Sequence, residues 1–334
     1  MSTGRESDWE GVRLHIVSGK GGTGKTTVAA SLALALAADG HKVLLCEVEG
    51  RQGLARLFDV PQLPYQESRL ATVPDGGEVY GLAIDAEAAL LEYLELYYRL
   101  GRAGRALEKV GAIDFATTIA PGVRDVLLTG KVYEAVGRQG KPRARDRIVY
   151  DVVVLDAPPT GRIARFLNVN AGVADIARVG PIRHQADSIM ALMRSPQTAV
   201  HLVTLLEEMP VQETSDGIAE LREARIPIGS IVVNLARRSP LDPAGLRKAA
   251  SGKLSRAQLV AALTSSGLAC DAATVDGLLA EAAEHAVRVA LEDTQRKRVA
   301  ELGRPTYELS RLTDGVDLGG LYELAAELRE QGMA

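Results

Sequence analysis

Cysteine is nearly absent: the 334 residues carry two, Cys46 and Cys270. Their separation matches no metal-ligand spacing, which argues against zinc ribbons, iron–sulfur clusters and a disulfide framework, and both thiols read as small buried apolar groups. Aromatic residues are only 4% of the chain, and the single tryptophan, Trp9, reads as packing against the fold. Long apolar runs are missing too. The longest, Val28 to Ala38, is broken by Ser31 and falls short of the ~18 residues of a membrane span. Residues Met1 to Gly11 carry Arg5, Glu6, Asp8 and Glu10 with no apolar core, which predicts no secretory signal and a cytoplasmic protein. Charge of one sign is also lacking. With 39 basic against 43 acidic side chains the net charge is −4, so no nucleic-acid partner is expected, because phosphate-backbone binding needs clustered excess Lys and Arg. The five histidines, His15, His41, His184, His201 and His285, show no catalytic or metal spacing and read as structural.

What is present is alternation. Short β-branched runs at Val12–Val17, Val43–Glu47, Val79–Ile84, Tyr150–Asp156, Ala199–Leu205, Ile228–Asn234 and Thr306–Leu309 read as buried strands, with longer helical patterns between them. This predicts an α/β fold with a doubly wound, mostly parallel sheet, whose ligand sits at the carboxyl ends of the strands. Two gaps exceed simple crossovers. Ala86 to Gln139, with Ala89, Leu90, Tyr93, Leu94, Tyr97 and Leu100 at helical spacing, and Val169 to Gln197 predict a helical subdomain. A third insert, Pro240 to Arg304, has helix starts at Asp242 and Ser255 and is expected to pack on the sheet. The whole chain, 1–334, therefore reads as one domain with three helical inserts. The basic stretch Arg138, Lys141, Arg143, Arg145 and Arg147 reads as a solvated connector, with an acidic partner or membrane surface as the alternative.

The most specific signal is Gly19-Lys20-Gly21-Gly22-Thr23-Gly24-Lys25-Thr26, followed by Thr27, between the first strand and a helix that stops at Gly40. It fits G-x-x-x-x-G-K-[ST] in the strand–loop–helix setting that pattern requires. Glycines let backbone N–H groups wrap a β-phosphate, and the helix N-terminus adds partial positive charge. Lys25 is placed to bridge β- and γ-phosphates, and the Thr26 hydroxyl to ligate Mg²⁺. Asp156 closes the run Val152-Val153-Val154-Leu155, a position suited to holding the same cation. The following Ala157-Pro158-Pro159-Thr160-Gly161 reads as a switch loop whose glycine can approach the γ-phosphate.

With its second lysine, Lys20, the loop resembles the deviant Walker A group, in which that lysine reaches across a dimer to the partner's nucleotide. The chain as a whole resembles the arsenical-pump and tail-anchored-protein-targeting ATPase family, in a bacterial form, whose fold is similar to that of nitrogenase iron protein and the septum-placing and partition ATPases. Besides the loop and Asp156 to Leu167, the matches are Val43 to Asp59, Ile84-Asp85, Pro121-Gly122-Val123-Arg124-Asp125, Glu213-Thr214 and Val233-Asn234. The resemblance implies ATP and Mg²⁺ as cofactors, Asn234 touching adenine, and the Pro305 to Leu312 segment flanking the base.

Three departures qualify it. Where the family has a water-positioning aspartate, this chain has Glu49; its extra methylene moves the carboxylate by about 1.5 Å, which implies slow hydrolysis. A surface ion pair of Glu49 with Arg51 or Arg56 is the alternative reading. Arg162 stands where the targeting branch usually has histidine. Cargo features are also thin: there is no C-x-x-C motif and no thiolate set for metalloid, and Met190 and Met193 read as core more readily than as an apolar client groove. The last helix, Leu321 to Gln331, carries Glu323, Glu327 and Glu330 against Arg329 and is a poor lipid anchor.

The expectation is a dimeric Mg²⁺-ATPase, with Lys20, Lys25, Glu49 and Asp156 as catalytic residues, that reshapes a helical surface for a client. The partner is an identical or paralogous subunit, with a protein client or membrane-associated partner beyond it. The alternative is a nucleotide-responsive client factor with little turnover. An arsenite-pump, partition or septum-placing role ranks below both.

Overall fold

The computed structural model describes residues 9–50, 52–74, 76–98, 121–138, 149–176, 181–269, 271–313 and 315–334. Its strands are β1 (Leu14–Gly19), β2 (Lys42–Glu47), β3 (Ser68–Thr72), β4 (Glu78–Ala83), β5 (Val152–Asp156), β6 (Thr198–Thr204), β7 (Ile228–Ala236) and β8 (Thr306–Ser310). They form one sheet in the order β3-β4-β2-β5-β1-β6-β7-β8. Every pairing is parallel except β3 with β4. Each expected strand is present within a few residues. β3 was not expected: it is a five-residue edge strand, half-exposed, with a bulge between Arg69 and Ala71, so it lacks the continuous apolar run that marks strands covered on both faces.

The helices are α1 (Lys25–Ala37), α2 (Gly53–Leu57), α3 (Ala86–Tyr98), α4 (Pro121–Val136), α5 (Thr160–Ile176), α6 (Pro181–Met193), α7 (Glu208–Glu223), α8 (Pro243–Ala250), α9 (Arg256–Ser265), α10 (Ala272–Glu301) and α11 (Leu318–Glu330). Alternate strand residues face two cores. Leu14, Ile16, Leu155 and Leu202 pack with α4 to α7, where Met190 and Met193 are buried as core. Val17, Leu45, Val154 and Val203 pack with α1 and α11 on the other face. Lying between the sheet and α11, α1 is apolar nearly all round, as a helix covered on both sides must be.

Asp242 and Ser255 cap α8 and α9 through hydrogen bonds from Gly245 and Gln258 N–H, at 2.6 and 3.3 Å. Asp271 does the same for α10. Of these helices it is the end of α10 that packs on the sheet, with Val299 buried in the core beside α7 and Arg298 donating to Gln212 of α7. The same helix reaches the β8 edge, where Arg296 binds Glu308 at 2.7 Å, and α9 buries none of its residues. Such an insert can keep a helical pattern while leaving most of its surface to water.

Several polar groups inside the fold pair across distant elements. The histidines are structural, but two of them meet: His15 Nδ1 and His201 Nε2 lie 3.0 Å apart with both rings buried. The Ser230 N–H donates to His201 Nδ1, so Nε2 of His201 carries the proton given to His15. Trp9 packs edge-on against His201 and donates to the Tyr307 hydroxyl. On the other face, α3 and α4 are clasped to the sheet by Tyr65–Glu92–Lys131 contacts and by Arg138, which binds Glu134 and Glu67. Arg138 is therefore not a solvated connector residue; the rest of that basic stretch lies outside the described residues. Cys46 is fully buried, and burial pushes its thiol up to about 12, which leaves no thiolate for a soft metal. Cys270 lies outside the described residues.

Candidate functional site

The site is built where β1 meets α1. The chain runs from β1 to β2 on one side of the sheet and returns through β5 before crossing to β6, so a crevice opens at the carboxyl end of β1. Gly19 lies against β6, and any Cβ there would collide with the Val203 carbonyl. Gly24 has φ 84° and faces Asn234, whose Nδ2 leaves no room for a side chain. The turn between them is tied internally: the Thr23 hydroxyl donates to the Lys20 carbonyl at 2.8 Å, and Asn234 Nδ2 donates to the Thr23 carbonyl at 2.8 Å. Gly21 and Gly22 remain exposed on the outer side of the loop. Thr26 and Thr27 are half-buried in the first turn of α1, and Lys25 is almost fully buried.

Beneath the loop the strand ends supply carboxylates. Asp156 is paired in register with Val17 of β1 on one side and with Glu47 of β2 on the other. The Thr26 hydroxyl donates to Asp156 Oδ2 at 2.7 Å. Asp156 Oδ1 is buried and has no hydrogen-bond partner among the described residues. Burial pushes the Asp156 carboxyl up to about 6; the Thr26 hydrogen bond and Lys25 pull against this, and Glu47 and Glu49 add to it. Glu47 is itself buried, with Oε1 accepting the Gly53 N–H at 2.9 Å. Glu49 sits half-exposed on the turn after β2. Its alternative partner Arg51 lies outside the described residues.

Lys20 turns toward its own chain, 2.8 Å from Glu213 Oε1 of α7. The other oxygen of Glu213 accepts from the Thr160 hydroxyl at 3.4 Å, so the glycine loop, the start of α5 and α7 share one carboxylate. Gly161 lies in the exposed first turn of α5 with open space around it. Arg162 approaches Asp125 of α4 at 3.6 Å and thereby links the first turn of α5 to the helical insert. On the far side of Asn234 is a cavity of about 390 Å³, lined among others by Leu235, Arg237, Arg288, Leu291 and Arg311. Arg311 belongs to the segment expected to flank a base.

The structure thus brings Gly19 to Thr27, Asp156 and Asn234 into one site. Lys20 is held at its edge, and Glu49 and Gly161 stand on exposed turns beside it. Asn234 buttresses the phosphate-type loop at the same time as it borders the cavity. Two residues escaped the sequence reading as parts of this site. Glu213 was recognised only as a motif match, and its bond to Lys20 depends on a tertiary approach that no spacing encodes. Glu47 was legible in principle: it ends the apolar run Val43 to Cys46 as Asp156 ends Val152 to Leu155.

Residues 12–196 match the family model described as anion-transporting ATPase. Over 332 residues the chain is 53% identical to "ATPase BagA" of Mycobacterium tuberculosis, covering 99% of this chain and 97% of that one. It is 24% identical over 261 residues to "ATPase GET3" of Rhodotorula glutinis, covering 68% and 71% of the two chains. To the "Arsenical pump-driving ATPase" of Escherichia coli it is 28% identical over 224 residues, 66% of this chain and 34% of that protein.

Proposed function

Because this chain belongs to the anion-transporting ATPase family and is an ATPase, we propose that it works as a dimer in which bound Mg²⁺-ATP, and then its hydrolysis, reshape a helical surface for a client. The observation that carries the reading is the pairing of Thr26 with Asp156 beside Lys25, next to a glycine loop whose Gly21 and Gly22 are exposed. The orphaned Asp156 Oδ1 suits a hard divalent cation, as does an all-oxygen donor set. Thr26 and Asp156 would hold that cation, which when bound would neutralise charge on the phosphate oxygens.

The remaining roles follow from placement. Gly19, Gly21, Gly22, Thr23, Gly24 and Thr27 wrap the phosphates, Lys25 bridges the β- and γ-phosphates, and Glu49 orients the attacking water. Lys20 leaves Glu213 to reach the partner's nucleotide. Gly161 approaches the γ-phosphate, and the cavity beside Asn234 takes the base. The Arg162–Asp125 contact supports transmission from the second switch to α4, and so to a client surface built from the segments around 86–139 and 169–197 of each subunit. The chain acts in the cytoplasm as a single ATPase domain with helical inserts, among whose described helices none is long and apolar enough to cross a membrane. Its partner is a second copy or a paralogue.

The engagement of Lys20 in its own chain also favours a second reading, a nucleotide-responsive client factor with little turnover. Light scattering and turnover across a dilution series, with and without ATP, separate the two. The dimeric ATPase gains mass in ATP and its activity per chain rises with concentration. A chain that stays monomeric with concentration-independent activity rules that mechanism out.

A further inference from the structure

Glu47 and Asp156 end adjacent parallel strands in direct register, β2 beside β5. Register partners in a parallel pair point to the same face, and neighbouring strands run about 4.8 Å apart. That face is the α1 side, since Leu45 and Val154, two residues earlier in each strand, pack in the α1 core. Two carboxylates, 3% and 7% exposed, therefore stand side by side under the start of α1. Like charges buried at such spacing repel strongly, and a cation held between them relieves the repulsion. Lys25 supplies one positive charge nearby. Asp156 Oδ1, buried and without a hydrogen-bond partner among the described residues, marks where another would sit.

The same carboxylate holds the turn after β2 that carries Glu49, which on the nucleotide reading is the first switch. Glu47 Oε1 accepts the Gly53 N–H, which closes a turn that carries Glu49 and passes through Gly50 at φ 67° and Gln52 at φ 54°. Packing there is tight: a Cβ on Gly53 would lie 3.3 Å from Glu47 Oε1 and 3.1 Å from Thr26 Cγ2. Glu47, Thr26 and the turn thus meet at one point.

We propose that Glu47 is the second carboxylate of the divalent-cation site, acting with Asp156 and Thr26, and that it positions the Glu49 turn through Gly53. Two carboxylates and a hydroxyl are too few ligands for an octahedral Mg²⁺, so phosphate oxygens and water complete the shell and cation binding is coupled to nucleotide. The assignment rests on the nucleotide reading of the loop. It makes Glu47 a sensor, because the group that meets the cation is also the group that sets the first switch.

The test is binding of a fluorescent non-hydrolysable ATP analogue, in Mg²⁺ and in EDTA, with Mn²⁺ electron paramagnetic resonance on the nucleotide complex. Glu47→Gln keeps the side-chain shape and an oxygen for Gly53. It is expected to bind nucleotide more tightly in EDTA, since a negative charge beside the phosphates is gone. It should also lose about tenfold or more of the Mg²⁺-dependent gain and of Mn²⁺ affinity. A Glu47→Gln protein with the native Mg²⁺ gain and Mn²⁺ affinity overturns the assignment. If that variant does not fold, Gly53→Ala, which presses on Glu47 and Thr26 while keeping both carboxylates, should reduce the same gain, and an undiminished gain there overturns it equally. Native protein that binds no nucleotide in either condition overturns instead the nucleotide reading beneath it.

Discussion

Acidifying the protein should unfold it along a path set by two buried groups of opposite sense. Burial holds His15 down at about 4, against an ordinary value of 6.5. A base held low takes up its proton only on unfolding. Its contribution to stability is therefore complete above 6.5 and is lost as the pH falls toward 4, about 3 kcal/mol in all. His201, also held low by burial, adds in the same direction. Asp156 works against them: an acid raised to about 6 from 3.8 contributes stability that is complete below 3.8 and lost as the pH rises through 6, again about 3 kcal/mol. The assay is the unfolding midpoint of nucleotide-free protein at intervals from about pH 7.5 down to about pH 4.5, read as a slope for each variant. Native protein should lose stability on acidification with part of the loss offset. Asp156→Asn removes the offset and should steepen the curve by about 2 kcal/mol over that range, and His15→Gln should flatten it by about 3 kcal/mol. Because other carboxylates titrate alike in all three proteins, parallel curves for native and Asp156→Asn would refute the reasoning.

Glu49→Gln should retain nucleotide and lose most hydrolysis, measured by equilibrium binding beside steady-state phosphate release; equal rates would move the water-positioning role elsewhere. The Lys20–Glu213 pair is about one-third exposed on each side, so it is worth roughly 1 kcal/mol or less. Glu213→Gln should accordingly favour the ATP-bound dimer by only a fewfold in sedimentation equilibrium, while Lys20→Ala weakens it. Gly24→Ala combines a left-handed φ with a collision at Asn234, so it should lower the melting temperature by the equivalent of about 1–2 kcal/mol and abolish the nucleotide-induced shift.

The sheet was legible because strands covered on both faces are written as unbroken apolar runs, and the loop because Gly22 and Gly24 take left-handed backbone while Gly19 and Gly24 leave no room for a Cβ. Asp156 was legible for the same reason, as a lone carboxylate ending such a run. Edge strand β3 was not, since half of its surface faces water and its composition is that of a loop. The placement of the 240–304 insert was also hidden: its helix starts are written in Asp242 and Ser255, but its docking rests on the end of α10, through Val299 in the core, Arg298 on Gln212 and Arg296 on Glu308, far from those caps. The His15–His201 contact and the Lys20–Glu213 bond join residues from distant elements, and only the parallel order of β1 and β6 or the packing of α7 brings them together. Glu47 shows a different kind of loss. Its pattern matches that of Asp156, but the family's water-positioning aspartate aligns with Glu49, two residues downstream, and the resemblance assigns no role to Glu47.

The most direct measurement is the melting temperature with saturating Mg²⁺-ATP, in native protein and in Lys25→Ala. Nucleotide about a thousandfold above its Kd stabilises by ~4 kcal/mol, so the native midpoint should rise clearly and the variant's should stay where it is without ligand. A native melting curve unmoved by nucleotide would mean that the loop between β1 and α1 holds no phosphate, and the roles assigned to Lys25, Thr26 and Asp156 would fall with it.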